Sequence, residues 1–191
     1  MWVALVAAAY LLGTFPSAAL VSRASGVDIT TTGSGNPGAS NVTRALGWRK
    51  GVLVFVLDAL KGAVATIVGL WLGGRAGGYV LGAAAIVGHI FPVTRRFRGG
   101  KGVATGAGVL GVLHPIVAVV VVGLWLVLSR LTGKAAIASI AAVIVTPIGL
   151  ALTGAPLWEF AATVGVCALL VVRHAGNVRR MLRREEHTLV R

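Results

Sequence analysis

The sequence predicts an all-α polytopic membrane protein with seven transmembrane helices, some short or half-spanning, N-terminus out and C-terminus in. Three observations carry that reading. Hydrophobic residues make up 57% of the 191 residues and charged ones 12%, with a mean hydropathy of +0.89; a soluble domain is about a quarter charged. The apolar residues gather into long uncharged runs. The basic residues, 18 Lys and Arg against 5 Asp and Glu, lie between those runs, where positive charge marks the cytoplasmic side of a membrane protein. This composition excludes a soluble domain and a disordered chain. It also assigns the net charge of +13 to topology, so no nucleic-acid partner is expected. The lone Cys167 excludes an internal disulfide and a cysteine metal cage.

Residues 2–21 carry no charge and suffice for one crossing. No Lys or Arg precedes them, so they read as a retained helix, not a cleaved signal. Further apolar runs occupy 51–73, 77–93, 103–129, 135–152 and 156–172. His114-Pro115 interrupts the run 103–129. Proline removes a backbone donor and disfavours helix at the preceding residue, giving one kinked helix or two short ones. Charge decides for two. With the run split, the cytoplasmic segments carry 16 of the 18 basic residues, including the six arginines of the tail; Arg75 falls outside and Lys61 lies within a span. Residues 115–128 then reach about 21 Å, short of the roughly 30 Å hydrocarbon core. Thinned lipid, half-helices buried by neighbours, or a re-entrant hairpin would accommodate them. The chain reads as a single integral membrane domain over 1–191. Glu159 is expected at the outer interface and His114 in a short outer turn.

Chemistry concentrates in three polar strings. The first lies in the 29-residue segment 22–50, too long for a plain connection: Gly33-Ser34-Gly35-Asn36-Pro37-Gly38-Ala39-Ser40-Asn41, then Arg44. Glycines let backbone N–H groups converge as an anion nest. Ser34, Asn36, Ser40 and Asn41 add neutral donors, and Arg44 adds a fork suited to phosphate. The string matches G-x-G-x-x-G in form, but a membrane helix precedes it and Asp58 sits in an apolar run, which excludes a dinucleotide fold. Ala39 stands where a Walker motif needs lysine. The second string is Arg95-Arg96-Phe97-Arg98-Gly99-Gly100-Lys101-Gly102, leading through Thr105 into an apolar run. A phosphate there would meet exposed N–H groups, a positive helix end and an ammonium together. The third is Arg173-His174-Ala175-Gly176-Asn177, followed by an arginine-rich amphipathic stretch suited to anionic lipid. His174 and Asn177 are three apart and share a helix face. Within the second span, Asp58 and Lys61 pair at i, i+3, too deep to reach water easily. His89, near the cytoplasmic end of the third span, either faces the site or serves packing or a backbone hydrogen bond.

These strings, in this order, resemble the PlsY family of bacterial membrane acyltransferases, which transfer acyl groups from acyl phosphate to glycerol 3-phosphate. Asp28-Ile29, Asp58-Ala59-Leu60-Lys61-Gly62 and Glu186 extend the likeness over essentially the whole chain. Thr30 and Arg184 depart from it, standing where the family often has a basic residue and a glycine. The resemblance implies acylation of the 1-hydroxyl of sn-glycerol 3-phosphate, giving lysophosphatidate and inorganic phosphate. It implies an active site on the cytoplasmic face of the inner membrane, with no metal and no cofactor. By motif match Ser34, Lys101, His174 and Asn177 are the catalytic candidates. Gly33, Gly35, Asn36, Gly38, Ser40, Asn41, Arg44, Gly99, Gly100, Gly102 and Thr105 are the substrate-binding candidates. Asp58, Lys61 and Glu186 support the site. No Ser-His-Asp set and no H-x-x-x-x-D signature is present, so the proton acceptor is either the donor phosphate or His174. The competing class is a transporter or lipid-binding channel, for which the intramembrane Asp58–Lys61 pair speaks.

Overall fold

The computed structural model describes residues 1–189. Two compact units divide the chain, Met1–Leu113 and His114–Arg191, and all regular structure among the described residues is helical.

The first unit opens with α1 (Trp2–Gly13) and α2 (Ser17–Arg23). The single helix expected over 2–21 is thus broken, and Pro16 is the reason: it has no N–H and disfavours helix at Phe15. The polar segment after α2 contains a helix of its own, α3 (Ala39–Leu46), which Gly38 opens in an extended conformation. Then α4 (Trp48–Ile90) runs for 43 residues, interrupted where Gly73 and Gly74 leave helical geometry. Across that break the backbones of Gly69 and Gly77 come so close that a β-carbon on either would collide with the other's carbonyl oxygen. Gly82 approaches Thr66 and His89 approaches Asp58. These pairs are symmetric about Gly73–Gly74, so α4 is a helical hairpin. Its two arms match the apolar runs 51–73 and 77–93. Trp48 and Trp71, both exposed, bracket the first arm about 35 Å apart at 1.5 Å per residue, the spacing of two membrane interfaces.

Small residues let these helices touch backbone to backbone, the favoured contact in lipid. α1 meets the second arm where Gly13 lies on Ala85 and Gly88 on Tyr10. α5 (Val103–Leu113) meets the first arm where Gly62 lies on Thr105 and Gly108 on Ala59. Arg75, the basic residue outside the charge pattern, donates from both terminal nitrogens to the Leu113 carbonyl at 3.4 Å. It caps the C-terminal end of α5, where a cation is favoured.

The second unit holds α6 (Pro115–Thr132), α7 (Ala135–Leu152), α8 (Leu157–Arg173) and α9 (Ala175–Leu182). The break at His114-Pro115 therefore separates two helices. Gly133, left-handed at φ 65, ends α6 and turns the chain into α7. Trp125 Nε1 bonds Ser139 Oγ between them at 2.9 Å. Glu159 is fully buried, 3.1 Å from Nε2 of His114. The carboxylate turns inward to the imidazole at the start of α6.

Four segments are long and apolar enough to cross a membrane, and α8 with α9, bent by 49°, makes a fifth if counted as one. Their outward faces carry exposed Trp71, Ile116, Val119 and Leu131, which water would not tolerate in such continuous bands. The protein is an all-α, multi-pass membrane protein.

Candidate active site

Each polar string folds into a local cluster. In the first, Ile29 drops from the loop into an apolar cluster with Ala18, Val42 and Val54, anchoring the segment to α2, α3 and α4. Asp28 starts the turn. Its carboxylate accepts the N–H and hydroxyl of Thr30 at 2.9 and 2.7 Å. Those two bonds, the hydroxyl first, hold the Asp28 carboxyl below the ordinary aspartate range. Thr30 therefore has the local task of holding that turn.

Asn41 ties the glycine loop down. Its Oδ1 accepts the N–H of Ser34 at 3.0 Å, and its Nδ2 donates to the carbonyls of Ile29 and Thr32 at 3.2 and 2.8 Å. The side chain is 1% exposed. Asn41 is expected from the sequence to offer a donor to substrate; in the structure both its amide protons are engaged by the loop, so it shapes the loop. Gly33 is required beside it: the backbone is left-handed at φ 59, and a β-carbon would sit 2.5 Å from Asn41 Oδ1. Ser34 is half-buried, and its Oγ accepts the Asn36 N–H at 3.4 Å. Gly35 is left-handed as well. Ser40 and Arg44 lie half-buried on α3. Ser34, Asn36 and Asn41 are thus brought together directly.

The second string corrects another expectation. The N–H groups of Gly99 and Gly100 do not point to an open phosphate position. They donate to the carbonyls of Ile90 and His89 at 3.2 and 3.1 Å, satisfying the end of α4. These glycines are needed because a β-carbon at Gly99 would collide with the His89 carbonyl, and one at Gly100 with the His89 ring. Lys101 follows, half-buried, and Gly102 (φ 86) accepts the Gly106 N–H at 2.7 Å to begin α5. Thr105 is fully buried in the first turn of α5. Arg96 and Phe97 both adopt left-handed backbone at φ 51 and 61, a rare conformation for side-chain-bearing residues.

Beneath that loop lies a buried polar network. Lys61 Nζ is 2.8 Å from Asp58 Oδ1 and also donates to the Phe15 carbonyl at 3.2 Å. Asp58 Oδ1 further accepts Ser17 Oγ at 2.9 Å, and His89 Nδ1 stands 3.6 Å away. Tyr10 fixes the loop from α1, donating to the Phe91 carbonyl at 2.6 Å and accepting the Val93 N–H at 3.0 Å. Ser17 and Tyr10 were not expected here. Each is an isolated polar group in an apolar run, and that was their only signal.

In the third string, His174 ends α8 and caps α9, 2% exposed. Its Nδ1 lies 2.8 Å from the Leu170 carbonyl. A carbonyl only accepts, so Nδ1 carries the proton, and in the neutral ring Nε2 is the acceptor. Asn177 Nδ2 donates to Glu186 Oε1 at 2.8 Å, and Arg180 Nε to Oε2 at 3.0 Å. Glu186 thereby folds the tail back onto α9. Arg184, on the way to it, is left-handed at φ 60, which is why glycine suits this position. Among the described residues, no group of His, Cys, Asp and Glu is arranged to hold a metal.

The family model described as Glycerol-3-phosphate acyltransferase matches residues 3–184. The chain belongs to the glycerol-3-phosphate acyltransferase family. It is similar to the glycerol-3-phosphate acyltransferase of Rubrobacter xylanophilus, 42% identical over 96% of this chain and 93% of that one. It is also similar to that of Aquifex aeolicus, 40% identical over 96% of each. Among solved structures it matches PlsY (YgiH), an integral membrane glycerol 3-phosphate acyltransferase, in its glycerol 3-phosphate form. The TM-score is 0.92 and the identity 38%, over 97% of this chain and 94% of that one. The lysophosphatidic acid form of the same enzyme matches with a TM-score of 0.90. Acyltransferase membership thus spans both units and all three polar strings.

Proposed function

We propose that this protein transfers a fatty acyl group from acyl phosphate to the 1-hydroxyl of sn-glycerol 3-phosphate, releasing lysophosphatidate and inorganic phosphate. The observation that carries the reading is the near full-length likeness to an integral membrane acyltransferase known in glycerol 3-phosphate and lysophosphatidic acid forms. The polar strings suit two phosphate-bearing substrates. Ser34, Asn36, Ser40, Arg44 and the left-handed backbone at Gly33 and Gly35, with Gly38 opening α3, act on the donor phosphate. Lys101, held by Gly99, Gly100 and Gly102 and followed by Thr105, acts on the phosphate of glycerol 3-phosphate. His174 and Asn177 are the catalytic candidates that the second unit supplies. Asp58, Lys61 and Glu186 support the elements that carry it.

The chemistry is undemanding of a covalent nucleophile. Acyl phosphate is a mixed anhydride, so the bond from acyl carbon to phosphate oxygen breaks as the ester bond forms. Cations at the phosphate stabilise its departure, and fixed donors stabilise the developing oxyanion. The hydroxyl proton ends on the released phosphate, which makes the leaving group itself the simplest acceptor. His174 Nε2 is the rival. A pH–rate profile that loses its acid-side limb, the rise in rate as a base deprotonates, in His174→Ala, with substrate affinity intact, would favour the histidine.

The reaction takes place in one membrane domain of the bacterial inner membrane, with seven crossings and the three strings on the cytoplasmic face. The hairpin in α4, the division at His114 and the placement of 16 of 18 basic residues support that count. Anionic lipid binds the arginines of α9. The test of the function is phosphate release by the purified protein, given glycerol 3-phosphate with either acyl phosphate or acyl coenzyme A. A thioester offers neutral sulfur where the site expects a dianion, and such a site rejects the analogue by about 10⁴–10⁵. Comparable rates from the two donors would overturn the reading.

A further inference from the structure

The ring of His89 occupies an unusual place. It sits at the end of α4, 4% exposed, directly under the loop that presents Lys101. Gly100 rests on Nε2 and Cε1 so closely that no side chain fits at position 100, and Gly100 also donates to the His89 carbonyl. On the far side, Nδ1 faces Asp58, which Ser17 and Lys61 hold in place. Lys61 is in turn tied to the Phe15 carbonyl at the break between α1 and α2. The loop is therefore seated on a ring backed by the first arm of α4, which Ser17 of α2 and the Phe15 carbonyl hold in turn. Neither Gly99 nor Gly100 has a side chain to seat it otherwise.

We propose that His89 is a positioning residue for acyl transfer: braced by Asp58, it forms the floor against which Gly99-Gly100 is pressed and so sets the place of the Lys101 ammonium. This rests on the reading of Lys101 as the cation on the glycerol 3-phosphate phosphate. A floor of this kind does not touch substrate. It acts through the residue it places, and displacements near 1 Å cost about 10²-fold in reactions that depend on alignment.

The experiment is a double-mutant cycle on the full-length protein in detergent, with thermal unfolding recorded for each variant. His89→Asn keeps a polar group near the Nδ1 position and withdraws the ring atoms that Gly100 rests on. It is expected to raise KM for glycerol 3-phosphate about 10–100-fold, leaving KM for acyl phosphate within threefold. In the Lys101→Ala background the same change should cost less than threefold, because residues acting as a unit are not additive. Equal losses in both backgrounds would overturn the inference, as would equal rises in the two KM values. Near-normal activity of Lys101→Ala alone would instead remove the phosphate reading beneath it. A second arm avoids emptying the site: Gly100→Ala pushes a methyl into the ring and should lose activity, and His89→Asn should restore part of it. A folded Gly100→Ala variant that keeps full activity, or gains nothing from the second change, also overturns the proposal.

Discussion

Asn41 reaches three backbone groups of the glycine loop with one amide. Asn41→Ala would leave the Ser34 N–H and two carbonyls without their partner, and each buried unsatisfied group costs about 1–3 kcal/mol. The expected result is lower thermal stability together with loss of most phosphate-releasing activity, measured on one preparation. Asn41→Asp should be no better, because a carboxylate cannot donate to the two carbonyls. Arg184 offers the opposite case. Its left-handed backbone costs a side-chain-bearing residue about 1–2 kcal/mol. Arg184→Gly should therefore stabilise the folded tail by roughly 0.5–1 kcal/mol once the extra freedom of the unfolded chain is subtracted; an unchanged or lower unfolding midpoint would contradict this. These residues show what the sequence makes legible. Ser34, Lys101 and His174 stand out because their types and neighbours are chemically conspicuous. The direction of an amide or an N–H does not follow from its type. Asn41, Gly99 and Gly100 therefore entered the expected site as donors, whereas their hydrogen bonds turn inward. The bonds of Ser17 to Asp58 and Tyr10 to Phe91 join residues 41 and 81 positions apart, and no local pattern encodes such a pairing.

Some helix boundaries were legible where a breaker residue sits in an apolar run, although Pro147 lies inside α7 without ending it. Pro115 and the glycine pair at 73–74 mark real breaks. Pro16 marks one too, although the uncharged run 2–21 reads as continuous because composition outweighs a single residue in a window. α3 was hidden for the converse reason: half of its eight residues are polar, and it lies inside a segment read as loop. The helical hairpin of α4 rests on the contact of Gly69 with Gly77. Gly69→Ala places a methyl against the opposing carbonyl. Overpacking of this kind costs about 1–3 kcal/mol, so the variant should unfold at lower temperature. Ala substitution at Gly165 or Gly123, which face open space, should have little effect. Equal stability of Gly69→Ala and Gly165→Ala would show that the arms do not depend on this approach.

Topology is the property of the whole molecule that charge predicts. Single cysteines replacing Arg98 and Arg184, in a Cys167→Ser background, should be labelled by a membrane-impermeant reagent only after the cells are opened. Labelling of either from outside intact cells would contradict the seven-crossing arrangement. The buried Asp58–Lys61 pair bears on the same arrangement from another side. The two residues are 2.8 Å apart on one face of one helix. Their neutralising contact therefore needs no neighbour, and it forms as soon as that turn of helix forms. A lone Asp or Lys at mid-membrane costs about 2.5–3.5 kcal/mol during translocon-guided insertion. Paired, the two charges form a nearly neutral dipole that needs no contact with His89. Ser17 and Phe15 are made earlier and are available to receive it. The geometry of one helical turn thus lowers the cost of placing a doubly charged segment in the bilayer, and the same pair lies beneath the loop of the folded enzyme.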